Sequence, residues 1–163
     1  MVSSYVESMI AEEIQRKIAD FRELGLPAII PREGGIHEAD GMVSTVIGAR
    51  RVGKSFRVMQ LAQEFWGSGR IGGVKQICAV DFDNPILSRI HASELHLIQE
   101  VFLKMTPEAH LKTSLFFLLD EIHRIEGWEE YVIDLSRNPN WKVVVTGSSS
   151  KLLREDMATG LRG

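Results

Sequence analysis

Cysteine is nearly absent from this chain. The one thiol, Cys78, excludes an internal disulfide, and its place in the apolar run Ile77-Cys78-Ala79-Val80 points to a buried, inert side chain. No run approaches the roughly 18 apolar residues of a membrane helix. The N-terminus, with Glu7, Glu12 and Glu13, lacks the charge pattern of a signal peptide. These absences predict a cytoplasmic chain with no membrane partner. Charge of one sign is also missing: a net charge of -3 supplies no global basic field for nucleic acid. Nor are aromatic and basic residues interleaved as in single-strand binders. The five histidines are scattered, and His91 and His96 are spaced so that a helix would not put them on one face. No zinc site is expected. The chain does have enough apolar sequence for one core, being 44% hydrophobic and 25% charged over 163 residues.

One motif stands out against this background. Gly48-Ala49-Arg50-Arg51-Val52-Gly53-Lys54-Ser55 has the spacing of a phosphate-binding loop: a glycine, four residues, then Gly-Lys-Ser. Average residue frequencies put a chance match at about one in a hundred for a chain this long. Residues 42–47 before it read as a buried strand. After it, Val58, Leu61, Ala62 and Phe65 recur at helical spacing from Phe56 onward. In such a loop the backbone N–H groups of residues 48–56 close around phosphate oxygens, and the helix N-terminus adds partial positive charge. Lys54 reaches the terminal phosphates, and Ser55 can ligate magnesium. Arg50 and Arg51 read by default as solvated charge.

The rest of the chain alternates helix and strand. Ser4-Tyr5-Val6-Glu7 resembles a capping box, and Met9, Ile10, Ile14, Ile18 and Phe21 then follow at helical intervals up to Gly25. This predicts an N-terminal amphipathic helix that packs on the domain or binds a partner helix. Residues 26–41 are turn-rich. Gly67-Ser68-Gly69-Arg70-Ile71-Gly72 fits a dinucleotide-binding pattern in an inverted context, helix before and strand after, and so reads as a plain connection into a strand over 74–82. Asp81-Phe82-Asp83-Asn84-Pro85 at that strand's end reads first as a turn former, although its carboxylates could approach a nucleotide. A helix is predicted over 93–105.

The second chemical signal is Leu115-Phe116-Phe117-Leu118-Leu119-Asp120-Glu121, an apolar run suited to a strand buried on both faces and ending in two acids. In phosphate-loop enzymes an aspartate there supports magnesium, and a following glutamate can deprotonate the attacking water. Asp120 and Glu121 fit those roles. Trp128, Tyr131, Val132 and Leu135 mark a short helix, and residues 141–146 a fourth strand. That strand runs into Gly147-Ser148-Ser149-Ser150. Thr146 or Ser148 is the candidate hydroxyl for sensing the γ-phosphate, and a later serine the candidate cap of a helix through Leu152, Leu153 and Met157.

With these residues in place the chain resembles an AAA-type ATPase family of archaea and bacteria, in which an N-terminal ATPase module precedes a C-terminal domain of unassigned function. The resemblance rests on Ile30-Pro31-Arg32-Glu33, the loop at 48–55, Asp120-Glu121-Ile122-His123, Gly127-Trp128-Glu129, Thr146-Gly147-Ser148-Ser149-Ser150-Lys151-Leu152-Leu153 and Ala158-Thr159-Gly160-Leu161-Arg162-Gly163. It implies an α/β P-loop NTPase fold: a three-layer sandwich around a parallel sheet of order 1-4-3-2, with an N-terminal helix and connection at 1–41 and the ATPase core at 42–163. The family has glutamine where this chain has His123. Its pattern continues past Gly163 with an arginine, which is a candidate finger, a fifth strand and the second domain. On that comparison the chain reads as an N-terminal fragment lacking the fifth strand. An uncovered apolar first strand would favour self-association, so a homo-oligomer is expected beside ATP and the chain's own C-terminal domain as partners.

The function expected is hydrolysis of ATP with Mg2+. Catalysis falls to Lys54, Asp120, Glu121 and Thr146 or Ser148, phosphate binding to residues 48–56 (Gly48, Ala49, Arg50, Arg51, Val52, Gly53, Lys54, Ser55, Phe56), and metal support to Ser55 and Asp120. A nucleotide kinase is disfavoured by Glu121. The competing class is a nucleotide-dependent switch with slow turnover, and a nucleic-acid motor rests on analogy alone.

Overall fold

The computed structural model describes residues 2–26, 43–47, 54–107 and 114–147. Along them run α1 (Val2–Leu24), β1 (Ser44–Ile47), α2 (Lys54–Gly67), β2 (Ile77–Asp81), α3 (His96–Met105), β3 (Leu115–Asp120), α4 (Trp128–Ser136) and β4 (Trp141–Gly147). The strands form one sheet in the order β1-β4-β3-β2, and every pairing is parallel.

Parallel strands need crossovers, and helices placed on both faces leave the central strands no solvent side. This explains why β3 is apolar at every position before its acid. Leu115, Phe117 and Leu119 point into one core with α1, α3 and α4, whereas Phe116 and Leu118 point into a second core with α2. Each face has an edge-on aromatic pair at 5.4 Å, Phe117 with Phe102 of α3 and Phe116 with Phe65 of α2. β4 follows the same alternation, with Val143 and Val145 on the first face and Val144 on the second.

α1 belongs to the first core. Ile10, Ile14 and Ile18, one turn apart, are each no more than 2% exposed and join Phe82, Leu87, Ile98 and Phe102. Polar clamps hold it at two places. Glu13, whose carboxyl is lowered chiefly by the Arg16 guanidinium at 2.5 Å, accepts the Asn84 side-chain amide at 2.6 Å. Arg22 donates to the carbonyls of Lys75 and Met105 at 3.0 and 3.3 Å. Of the stripe, Ile10, Ile14 and Ile18 are used for packing in this core and Phe21 packs against the second, whereas Met9 is exposed.

Several element boundaries differ from the sequence expectation. α1 starts at Val2, so Ser4 lies inside the helix and the capping-box reading fails; Gly25 does end it, at φ +68 with its N–H on the Phe21 carbonyl. β1 starts at Ser44, with Val43 outside the ladder and Met42 outside the described residues. β2 starts at Ile77, because residues 74–76 form a 3-10 turn. Its buried Gln76 accepts the Gly72 N–H and donates to the Ser114 carbonyl, a polar anchor that keeps this stretch out of the sheet. α3 starts at His96, after a separate 3-10 turn at 92–94 where Glu94 accepts the His91 N–H at 2.7 Å. The glycines at 67–72 form the helix-to-strand connection expected of them, with Gly69 at φ +74.

Candidate functional site

Four parallel strands put all their C-terminal ends on one edge, where a sheet of this kind binds ligands. β1 ends at Ile47, one residue before Gly48, and α2 begins at Lys54. The loop motif therefore sits between strand and helix, as its chemistry requires. Residues 48–53 lie outside the described residues, as do the side chains of Lys54, Ser55 and Phe56. Ile47 pairs with Gly147 of β4, Leu119 of β3 with Val145 of β4, and Asp81 of β2 with Asp120 of β3. Thr146, Asp120 and Asp81 thus stand at the C-terminal strand tips, on the same edge of the sheet as the end of β1.

Thr146 joins the Asp120 side chain to the backbone of Glu121. Its side chain is fully buried, its hydroxyl donates to Asp120 Oδ1, and the same oxygen accepts the Glu121 N–H at 3.0 Å. A hydroxyl has one proton to give, and here it goes to Asp120. The γ-phosphate contact expected of Thr146 would call on the same hydroxyl that here bonds Asp120. Ser148, the alternative, lies outside the described residues, as does the helix expected through Leu152 and Met157.

Glu121 is the one non-glycine residue at positive φ among the described residues, at φ 58, ψ 31. A left-handed conformation costs about 1–2 kcal/mol for a residue with a side chain. The bond to Thr146 and the fully buried Ile122 next to it offset that cost. Its effect is to turn the chain sharply after Asp120. The two neighbouring carboxylates therefore leave the alternating pattern of a strand, and Glu121 is only 8% exposed.

A 3-10 turn over Ile122–Arg124 follows. His123 Nδ1 lies 3.6 Å from Glu121 Oε2, and the Arg124 guanidinium pairs with Asp83 in the loop after β2. That loop is held by its own side chains: Asp81 accepts the Asp83 N–H at 2.8 Å, and Asn84 accepts those of Ile86 and Leu87. The turn-forming reading of residues 81–85 is thereby supplied with its hydrogen bonds. Burial, then the charges of Asp120 and Asp83, raise the Asp81 carboxyl above its ordinary value.

Of the residues singled out in the sequence, Asp120, Glu121 and Thr146 are brought into contact. The His123 contact and the Arg124–Asp83 pair had no sequence signal, since residues 83 and 124 are 41 apart. Replacing Thr146 by valine keeps the shape and deletes both bonds. The expected result is a loss of about 1–3 kcal/mol of stability in urea unfolding, with serine at 146 recovering most of it. Unchanged stability in the valine variant would show that these bonds bear no load.

A family model described as an AAA domain matches residues 40–163. A protein of Methanocaldococcus jannaschii, described as uncharacterized, is 28% identical over 161 residues, which is 97% of this chain and 33% of that protein. An uncharacterized protein of Haemophilus influenzae is 29% identical over 121 residues, 74% of this chain and 29% of that protein. The chain spans about a third of the length of these curated relatives. No solved structure matches.

Proposed function

Because the chain belongs to the AAA domain family, and so carries a nucleotide-binding P-loop module, we propose that it binds magnesium-ATP and hydrolyses it to ADP and phosphate. The observation that carries this reading is the Asp120–Thr146–Glu121 cluster. It lies on the sheet edge where β1 leads through residues 48–53 into α2.

The backbone N–H groups of residues 48–56 and the N-terminus of α2 receive the phosphates, and Lys54 extends to the terminal ones. The hydroxyl of Ser55 and the carboxylate of Asp120 are hard oxygen donors, the set that magnesium prefers. Asp120 is only partly buried at its strand tip, which suits a carboxylate shared with a hydrated ion. Magnesium, when bound, neutralises charge on the β- and γ-phosphates. Glu121 accepts a proton from a water whose oxygen attacks the γ-phosphorus as the bond to the β–γ bridging oxygen breaks. Thr146 holds Asp120 and Glu121 in register through both steps.

The deciding measurement is phosphate release from ATP, with and without magnesium, alongside equilibrium binding of ATP. Steady magnesium-dependent release supports the enzyme. Tight binding with negligible release supports a nucleotide-dependent switch instead. A C-terminal domain acting with this module is part of the proposal, because the relatives are about three times as long as this chain; a second copy and a cytoplasmic setting are proposed beside it.

A further inference from the structure

The 3-10 turn after Glu121 is held more firmly than a surface turn would be. Ile122 and Ile125 are 0% and 2% exposed in the core shared by α1, α3 and α4. The Arg124 N–H bonds the Glu121 carbonyl at 3.2 Å, and the Arg124 guanidinium is tied to Asp83. Between these anchors sits His123, its side chain 10% exposed like that of Glu121, with Nδ1 3.6 Å from Glu121 Oε2. Water reaches neither group freely, so their interaction is little screened.

We propose that His123 is a positioning residue for the water-activating carboxylate. Its Nδ1 lies against Glu121 Oε2 and limits how far that carboxylate can swing away from the attacking water. This rests on the hydrolysis reading given above. A glutamate side chain turns about several bonds, and a base that wanders by about an ångström loses much of its advantage. A contact at one carboxylate oxygen removes part of that freedom. At 3.6 Å the pair is an electrostatic contact longer than a hydrogen bond, and contacts of this kind tighten when substrate completes the site.

The test compares the unaltered chain with His123→Leu, which keeps bulk and deletes the donor, and His123→Gln, which restores a side-chain N–H. The readouts are kcat, KM for ATP, and equilibrium ATP binding. The expected result is a fall in kcat of about tenfold for His123→Leu, with KM and binding changed less than about twofold. His123→Gln recovers most of the loss. A purely structural role would shift binding along with kcat and would not be rescued by Gln. Unchanged or raised kcat in His123→Leu overturns the proposal, as does a Gln variant no better than Leu. If the Leu variant does not fold, His123→Ala is read by the same criteria. A chain with no turnover, or one indifferent to Glu121→Gln, sinks the hydrolysis reading and this assignment with it. Sensitivity to Glu121→Gln with a neutral His123→Leu sinks this assignment alone.

Discussion

If the chain hydrolyses ATP as proposed, Glu121→Gln is expected to lower the rate by about 100-fold to 10,000-fold while leaving ATP binding intact, the range a positioned general base contributes. The substitution is nearly isosteric, so the left-handed backbone at this position and its N–H bond to Thr146 are kept. What changes is the proton-accepting oxygen, which an amide cannot supply at neutral pH. Because Glu121 is 8% exposed, bulk water does not readily substitute for the lost base. Single-turnover phosphate release and calorimetric ATP binding on the same preparation separate the two effects. Turnover within about threefold of the unaltered chain would place the base elsewhere.

Lys54→Ala weakens ATP binding by about a hundredfold or more, equivalent to about 2.8 kcal/mol, with the fold unchanged. Lys54 opens α2, where a side-chain cation adds to the partial positive charge of the helix end. Alanine is the best helix former, so the change removes the charge proposed to meet the phosphates without disturbing the helix behind it. The stripe that fastens α2 to the sheet, Val58, Leu61, Ala62 and Phe65, begins one turn further on. Thermal unfolding without nucleotide should be the same for both chains, and the stabilisation on adding ATP should be lost in the variant. Retained affinity would remove residues 48–55 from the site.

The parts of the fold visible in the sequence are those where one periodicity rules. β3 is a continuous apolar run, and β4 carries one at Val143–Val145, because both their faces are covered, and α2 shows its stripe because only one face is. Prediction failed where a side-chain bond set the boundary, as at Gln76, whose bonds to Gly72 and Ser114 hold residues 74–76 in a 3-10 turn ahead of the strand. At the candidate site, Asp120 and Glu121 were legible as acids closing a buried strand. The Thr146 bond to Asp120 was not, because it depends on parallel register between strands whose tips are 26 residues apart in sequence. The same holds for Arg124 and Asp83. The left-handed turn that aims Glu121 inward has no signature in a residue type that rarely adopts it.

The docking of α1 has a consequence for how the protein is made. Glu13 and its partner Asn84 are separated by 71 positions, and the isoleucines of α1 meet side chains as far along as Phe102. At a synthesis rate of about 5–20 residues per second, the helix waits several seconds for β2 and α3 to exist. For that interval Ile10, Ile14 and Ile18 form an uncovered stripe on the growing chain, a natural landing place for chaperones. The docking of α1 therefore waits on elements translated after it, β2 and α3.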